Sequence, residues 1–89
     1  MSKDYQYNVL GLGEAFLENN KSKLEKVTQL VIQEEDKNGK LVNENTIDKY
    51  SLPTKLLELF DRGVSHLKYI KIYYIEHGLR QFLTDIEIF

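Results

Sequence analysis

Apolar residues return at seven-residue intervals through the first third of the chain, at Leu10, Leu17, Leu24 and Val31, with Phe16, Val27 and Leu30 beside them. Seven residues is close to two helical turns, so on a helix these positions form one stripe. The polar positions between them, Glu14, Glu18, Lys21, Glu25 and Gln29, would face water. The pattern therefore predicts a helix over about 14–36. Gly11 and Gly13 argue against helix before residue 13, and Lys37-Asn38-Gly39 supplies a stop, because Asn and Gly accept the left-handed cap conformation.

A second periodic segment follows a polar middle at about 40–50. Ser51-Leu52-Pro53-Thr54 reads as a helix start, since Pro is tolerated in the first turn. Beyond it Leu57, Phe60, Val64, Leu67, Tyr74, Leu79, Phe82 and Ile86 keep helical spacing. Glu58 with Arg62 and Glu76 with Arg80 are acid-before-base pairs in the favoured helical order. One helix over 52–84 would reach roughly 50 Å against roughly 35 Å for the first, so a break is expected at Gly63 or Gly78. The fold class predicted is all-α, a small helical bundle of two long helical segments completed by dimerisation. The alternative is α+β. Val27 to Ile32 also suits a strand, Asp36 to Lys40 suits a turn, and together they form a hairpin at about 27–44. Lys68 to Ile75 is rich in β-branched and aromatic residues.

Composition narrows the functional classes. The chain has 89 residues, a formal net charge of −2 and no cysteine. One domain over 1–89 is expected. Disulfides and thiolate metal sites are excluded, and a cysteine-free small domain suits a reducing, cytoplasmic compartment. The first residues lack the apolar core of a signal peptide. The most apolar stretch, Tyr69 to Ile75, is interrupted by Lys71 and is far shorter than the ~20 residues of a membrane span. The bias toward Lys, Asn, Ile and Tyr resembles proteins of AT-rich genomes, including phages and other mobile elements.

Candidate chemistry is sparse. His66 and His77 would lie roughly 16 Å apart on a helix, too far to share a metal ion. Ser65 next to His66 has no nucleophile geometry, because neighbours on a helix diverge by about 100°. Gly11-Leu12-Gly13 is half of a phosphate loop and lacks its third glycine. No catalytic residue, cofactor or metal is expected. Glu34-Glu35-Asp36 reads as a solvated charge run or as a docking patch for a basic partner. The C-terminal run Asp85 to Phe89 alternates apolar and acidic, and would pack on the core or add a strand to a partner's sheet.

The most informative stretch is 62–80, where Arg62, Lys68, Lys71 and Arg80 interleave with Tyr69, Tyr73 and Tyr74. Tyr and Arg are favoured hot-spot residues at protein interfaces. Lys68, Tyr69, Tyr73, Tyr74 and Arg80 are accordingly the expected partner-binding residues. As a helix the stretch is apolar nearly all round and needs cover from a second subunit, which predicts a homodimer. The expected function is a small non-enzymatic regulator, of the inhibitor, immunity or antitoxin type, acting by stoichiometric protein–protein contact. The alternative is a nucleic-acid-binding regulator using the same basic-aromatic stretch.

Overall fold

The computed structural model describes residues 3–88, with side chains from Asn8 onward. It is an α+β fold. Helix α1 (Lys3–Asn19) and the short α2 (Lys21–Leu24) precede strands β1 (Gln29–Asp36) and β2 (Leu41–Asp48). A 3-10 turn (Lys49–Ser51) leads into α3 (Leu52–Arg62), then β3 (Leu67–Glu76) and β4 (Leu79–Glu87). The four strands form one antiparallel sheet in the order β2-β1-β3-β4.

The all-α bundle is overturned. The segment expected as one helix over 14–36 divides into the end of α1, α2 and β1. Its seven-residue stripe runs through all three elements, and Val31 ends on the sheet face opposite Leu30 and Ile32. An odd spacing alternates faces on a strand while staying in phase on a helix, so the stripe does not distinguish the two. The hairpin alternative at about 27–44 describes what forms. Lys37-Asn38-Gly39 is its turn and not a helix stop. The Asp36 carboxylate accepts the Asn38 and Lys40 N–H groups, each at 2.9 Å, and Gly39 takes φ +81°.

The second segment starts as its sequence indicates, with Pro53 in the first turn of α3. Gly63 ends that helix at φ +106°, its N–H donating to the Leu59 and Phe60 carbonyls. From Leu67 onward the chain is strand in place of the expected helix. Gly78 breaks no helix. With His77 (φ +52°) and its own φ of +75° it makes the two-residue turn between β3 and β4, the geometry that matches the right-handed strand twist.

Helices α1 and α3 lie on one face of the sheet. Leu30, Ile32, Ile70 and Ile72 point into that layer and pack with Val9, Leu52, Leu56 and Leu59. Gly13 lies inside α1, where its type argues against helix, and tertiary contact explains it. A Cβ on Gly13 would stand 2.6 Å from Pro53 Cα, so only glycine allows the two helices to approach this closely. The expected rationale for a second subunit also falls away. The apolar side of 69–75 is covered by the chain's own helices. The C-terminal run pairs with β3 as β4, and the Ile88 N–H donates to the Lys68 carbonyl at 2.8 Å. Phe89 lies outside the described residues.

Candidate partner-binding face

Alternation along β3 divides the predicted site residues between two faces. Ile70, Ile72 and Tyr74 face the helices, and Tyr74 packs against the core. Tyr69, Lys71, Tyr73 and Ile75 point the other way, to the face that no helix covers. Tyr73 pairs with Phe82 and Ile75 with Arg80 across β3–β4, which brings Phe82 and Arg80 to the same outer face. Alternation therefore gathers three of the five expected partner-binding residues, and a fourth, Lys68, starts on the helix side of β3 and reaches the group only with its ammonium. Tyr69, Tyr73 and Arg80 stand on the outer face, and Lys68 is exposed at its margin, its Nζ 5.6 Å from the Tyr69 ring. Tyr74 does not join them. Helical spacing places it beside Tyr73, whereas a strand sends neighbours to opposite faces.

Phe82 is the residue that sequence reading misses. Helical spacing assigns it to a core stripe, but its ring is 52% exposed and meets Tyr73 edge to face, centroids 5.7 Å apart. The signal for it is its position on a strand opposite Tyr73, which requires a hairpin over 67–87.

The charges of the outer face are largely paired with one another. Lys71 Nζ lies 2.9 Å from Glu35, and Arg80 Nη1 lies 2.9 Å from Glu44. The Glu35 contact, with weaker help from Tyr73 and Asp85, holds the Lys71 ammonium above its usual range. The amide of Gln33, donating at 2.7 Å, and then the Arg80 guanidinium hold Glu44 below the ordinary carboxylate range. Arg80 belongs to one edge strand and Glu44 to the other, so their side chains must cross β3 and β1, a span of roughly 14 Å between strand axes. Val31 lies on that path between Tyr73 and Thr46, and it is fully buried although no helix covers it. The Arg80 guanidinium carbon also lies 5.8 Å from the Tyr73 ring centroid.

The three acids at 34–36 do not act together. Glu34 turns inward and is buried, its carboxylate accepting from Asn43 at 2.7 Å and facing Arg62 at 3.4 Å. Glu35 pairs with Lys71 on the outer face, and Asp36 builds the turn. His66 and His77 are exposed at opposite ends of β3, whose ten residues separate them by roughly 33 Å. Among the described residues no group of three His, Cys, Asp or Glu could hold a metal ion, and no helix is long and apolar enough to cross a membrane. A cleft of about 590 Å³ opens between α1, α2 and the 3-10 turn, lined by Leu17, Leu24 and Tyr50 with Glu14, Glu18 and Glu25. None of the expected site residues reaches it.

Comparison with protein-family models, with curated proteins and with solved structures finds no match to this chain.

Proposed function

We propose that the chain is a small non-enzymatic regulator that acts in the cytoplasm by stoichiometric contact with another protein, made through the uncovered face of the sheet. The observation that carries this reading is the gathering of Tyr69, Tyr73 and Phe82 on that face, framed by Lys68, Lys71 and Arg80. Aromatic rings supply large contact area at little conformational cost and are enriched where partners dock. Arg80 and Lys71 are held in place by their acidic neighbours, so the face is ordered before a partner arrives, which lowers the entropy cost of binding. An inhibitor or antitoxin that masks a target surface needs no more than this.

The same pairing counts against nucleic acid as the ligand. Phosphates would have to displace Glu35 from Lys71 and Glu44 from Arg80 before gaining either cation. Tagged capture from lysate, divided into nuclease-treated and untreated halves, tests the reading. The expected result is one stoichiometric protein that survives nuclease and is lost when the bait carries Tyr73→Ala with Phe82→Ala. Capture that disappears with nuclease, and that weakens steeply with salt, would replace this reading with the nucleic-acid one.

A further inference from the structure

The two edges of the sheet offer different surfaces to a second copy of the chain. On β4, the Ile88 N–H bonded to Lys68 sets Thr84, Ile86 and Ile88 toward β3 and leaves the main-chain groups of Asp85 and Glu87 pointing outward. The tight turn pairs Glu76 with Leu79, which sets Leu79 and Gln81 toward β3 and turns Arg80 and Phe82 outward. A bulge between these two stretches, where the register slips opposite Ile72 and Tyr73, switches the alternation. The free donors and acceptors of β4 therefore belong to Arg80, Phe82, Asp85 and Glu87, and all four side chains stand on the outer face. On β2, the Lys49 N–H donates to the Thr28 carbonyl at 3.0 Å. The same alternation turns Asp48, Thr46 and Glu44 outward.

An edge strand that pairs with its own copy across a two-fold axis runs antiparallel, so residues near one end meet residues near the other. Pairing β2 with itself about Thr46 would set Glu44 opposite Asp48 of the partner subunit, twice over. Pairing β4 with itself does the reverse. The register that spans the strand and matches both the side-chain faces and the direction of the free main-chain groups sets Arg80 opposite Glu87 of the partner subunit, and Phe82 opposite Asp85 of the partner subunit, again twice. Opposite charges directly across an antiparallel pair attract, and like charges repel. Bulges commonly discourage edge pairing. Here the bulge falls at the two-fold axis and keeps the pairs on either side in step. Exposed apolar side chains do not separate the edges, since β4 holds Leu79 and Phe82 and β2 holds Leu41 and Val42, so the charge pattern decides between them.

We infer that the chain forms a two-fold homodimer by antiparallel pairing of β4 with β4 of a second copy, doubling the four-stranded sheet. To meet a carboxylate of the second copy, the Arg80 guanidinium swings from its place over the Tyr73 ring toward the β4 edge and exchanges Glu44 for that carboxylate. The two outer faces become one continuous surface with a pair of aromatic sites. This inference stands on the edge geometry and does not require the proposed function.

Sedimentation velocity of the full chain from about 1 µM to about 1 mM tests it, with a dimer expected to form in the micromolar range because a strand-edge interface is small. Arg80→Glu alone, or Asp85→Arg with Glu87→Arg, is expected to raise Kd by at least about tenfold, since two symmetry-related attractions become repulsions together. All three substitutions combined are expected to restore the dimer, which a folding defect would not do. Circular dichroism of each variant reports whether the fold is kept. A wild-type chain that stays monomeric at the highest concentration would overturn the inference. So would a dimer indifferent to these charges, a triple variant that remains monomeric, or an open-ended polymer.

Discussion

The molecule is two helix-hairpin halves laid side by side, and they differ less in plan than in what they expose. The first half is α1 with the β1–β2 hairpin. The second is α3 with the β3–β4 hairpin. Their inner strands lie side by side and antiparallel, with Ile32 opposite Ile72, and the strand order β2-β1-β3-β4 repeats the same helix-hairpin plan on either side of that pair. The same offset that relates Ile32 to Ile72 relates Gly13 to Pro53, and these two residues touch where the helices meet. On the outer face it relates Gln29 to Tyr69, Val31 to Lys71, Gln33 to Tyr73 and Glu35 to Ile75. The inward positions are apolar in both halves except at Glu34, the counterpart of Tyr74, whereas the outward ones are mainly amide or acidic in the first and aromatic or basic in the second. Core packing constrains the two halves alike. The outer face is free to differ, and it is there that the second half carries the aromatic and basic side chains of the proposed surface.

The largest effects should fall equally on the two halves, because the core is shared. Ile32→Ala and Ile72→Ala are each expected to cost about 3–4 kcal/mol, as truncations of fully buried aliphatic side chains, measured by urea unfolding. A difference of more than about 2 kcal/mol between them would break the equivalence of the halves.

Next comes the contact at which the halves meet. Gly13→Ala forces a methyl group against the Pro53 backbone and is expected to cost about 2–3 kcal/mol. Gly11→Ala, in the same helix with open space around the added Cβ, is expected to stabilise by about 0.5–1 kcal/mol through helix propensity. Thermal or urea denaturation of the two variants sharpens the comparison, since only the tertiary environment separates the two glycines.

Smaller still are the effects at the two neighbouring tyrosines of β3, one on each face. Tyr74→Ala, which uncovers core, is expected to cost about 2 kcal/mol of stability. Tyr73→Ala is expected to cost less than about 1 kcal/mol beyond lost ring contacts while weakening partner capture. Unfolding curves together with a binding assay separate the two tyrosines. If Tyr73→Ala unfolded the chain as readily as Tyr74→Ala, the outer face would be core and not a binding surface.

The smallest expected effect is pH dependence. Glu44 is held below its ordinary pKa of 4.5 by Gln33 and Arg80. A carboxyl group depressed by folding contributes stability that is fully present above its unfolded value and is lost as pH falls through its folded value. The difference in stability between the wild-type chain and Glu44→Gln should therefore shrink as the medium is acidified below about pH 4.5. It should hold steady from there to neutrality. Lys71, raised by Glu35, acts at the other end of the scale, its contribution present below its unfolded pKa and lost as pH rises through its folded value.

The punctuation of this fold is legible in the sequence, while its periodic stretches are ambiguous. Pro53 and Gly63 mark the ends of α3 because each acts through its own backbone, and the turn at Asp36 to Lys40 is local for the same reason. The stripe from Leu10 to Val31 misleads because its spacing fits a helix while its last members alternate as a strand. Gly11 and Gly13 argue against helix on propensity alone. At Gly13 what decides is a close approach to Pro53, which only the folded chain contains. The binding residues are legible as a set of types and not as a surface. Tyr69, Tyr73 and Arg80 share a face because they alternate on paired strands, and the bulge in β4 hides Phe82 from any simple period.

Hydrogen exchange of the chain, alone and bound to the protein it captures, tests the central claim most directly. Main-chain bonds in covered strands exchange more slowly than those in uncovered ones. The account predicts added protection across β3 and β4, centred on Tyr69 to Ile75 and Leu79 to Glu87, with little change along α1 and α3. Protection confined to the helical layer, or to the cleft beside Tyr50, would contradict it.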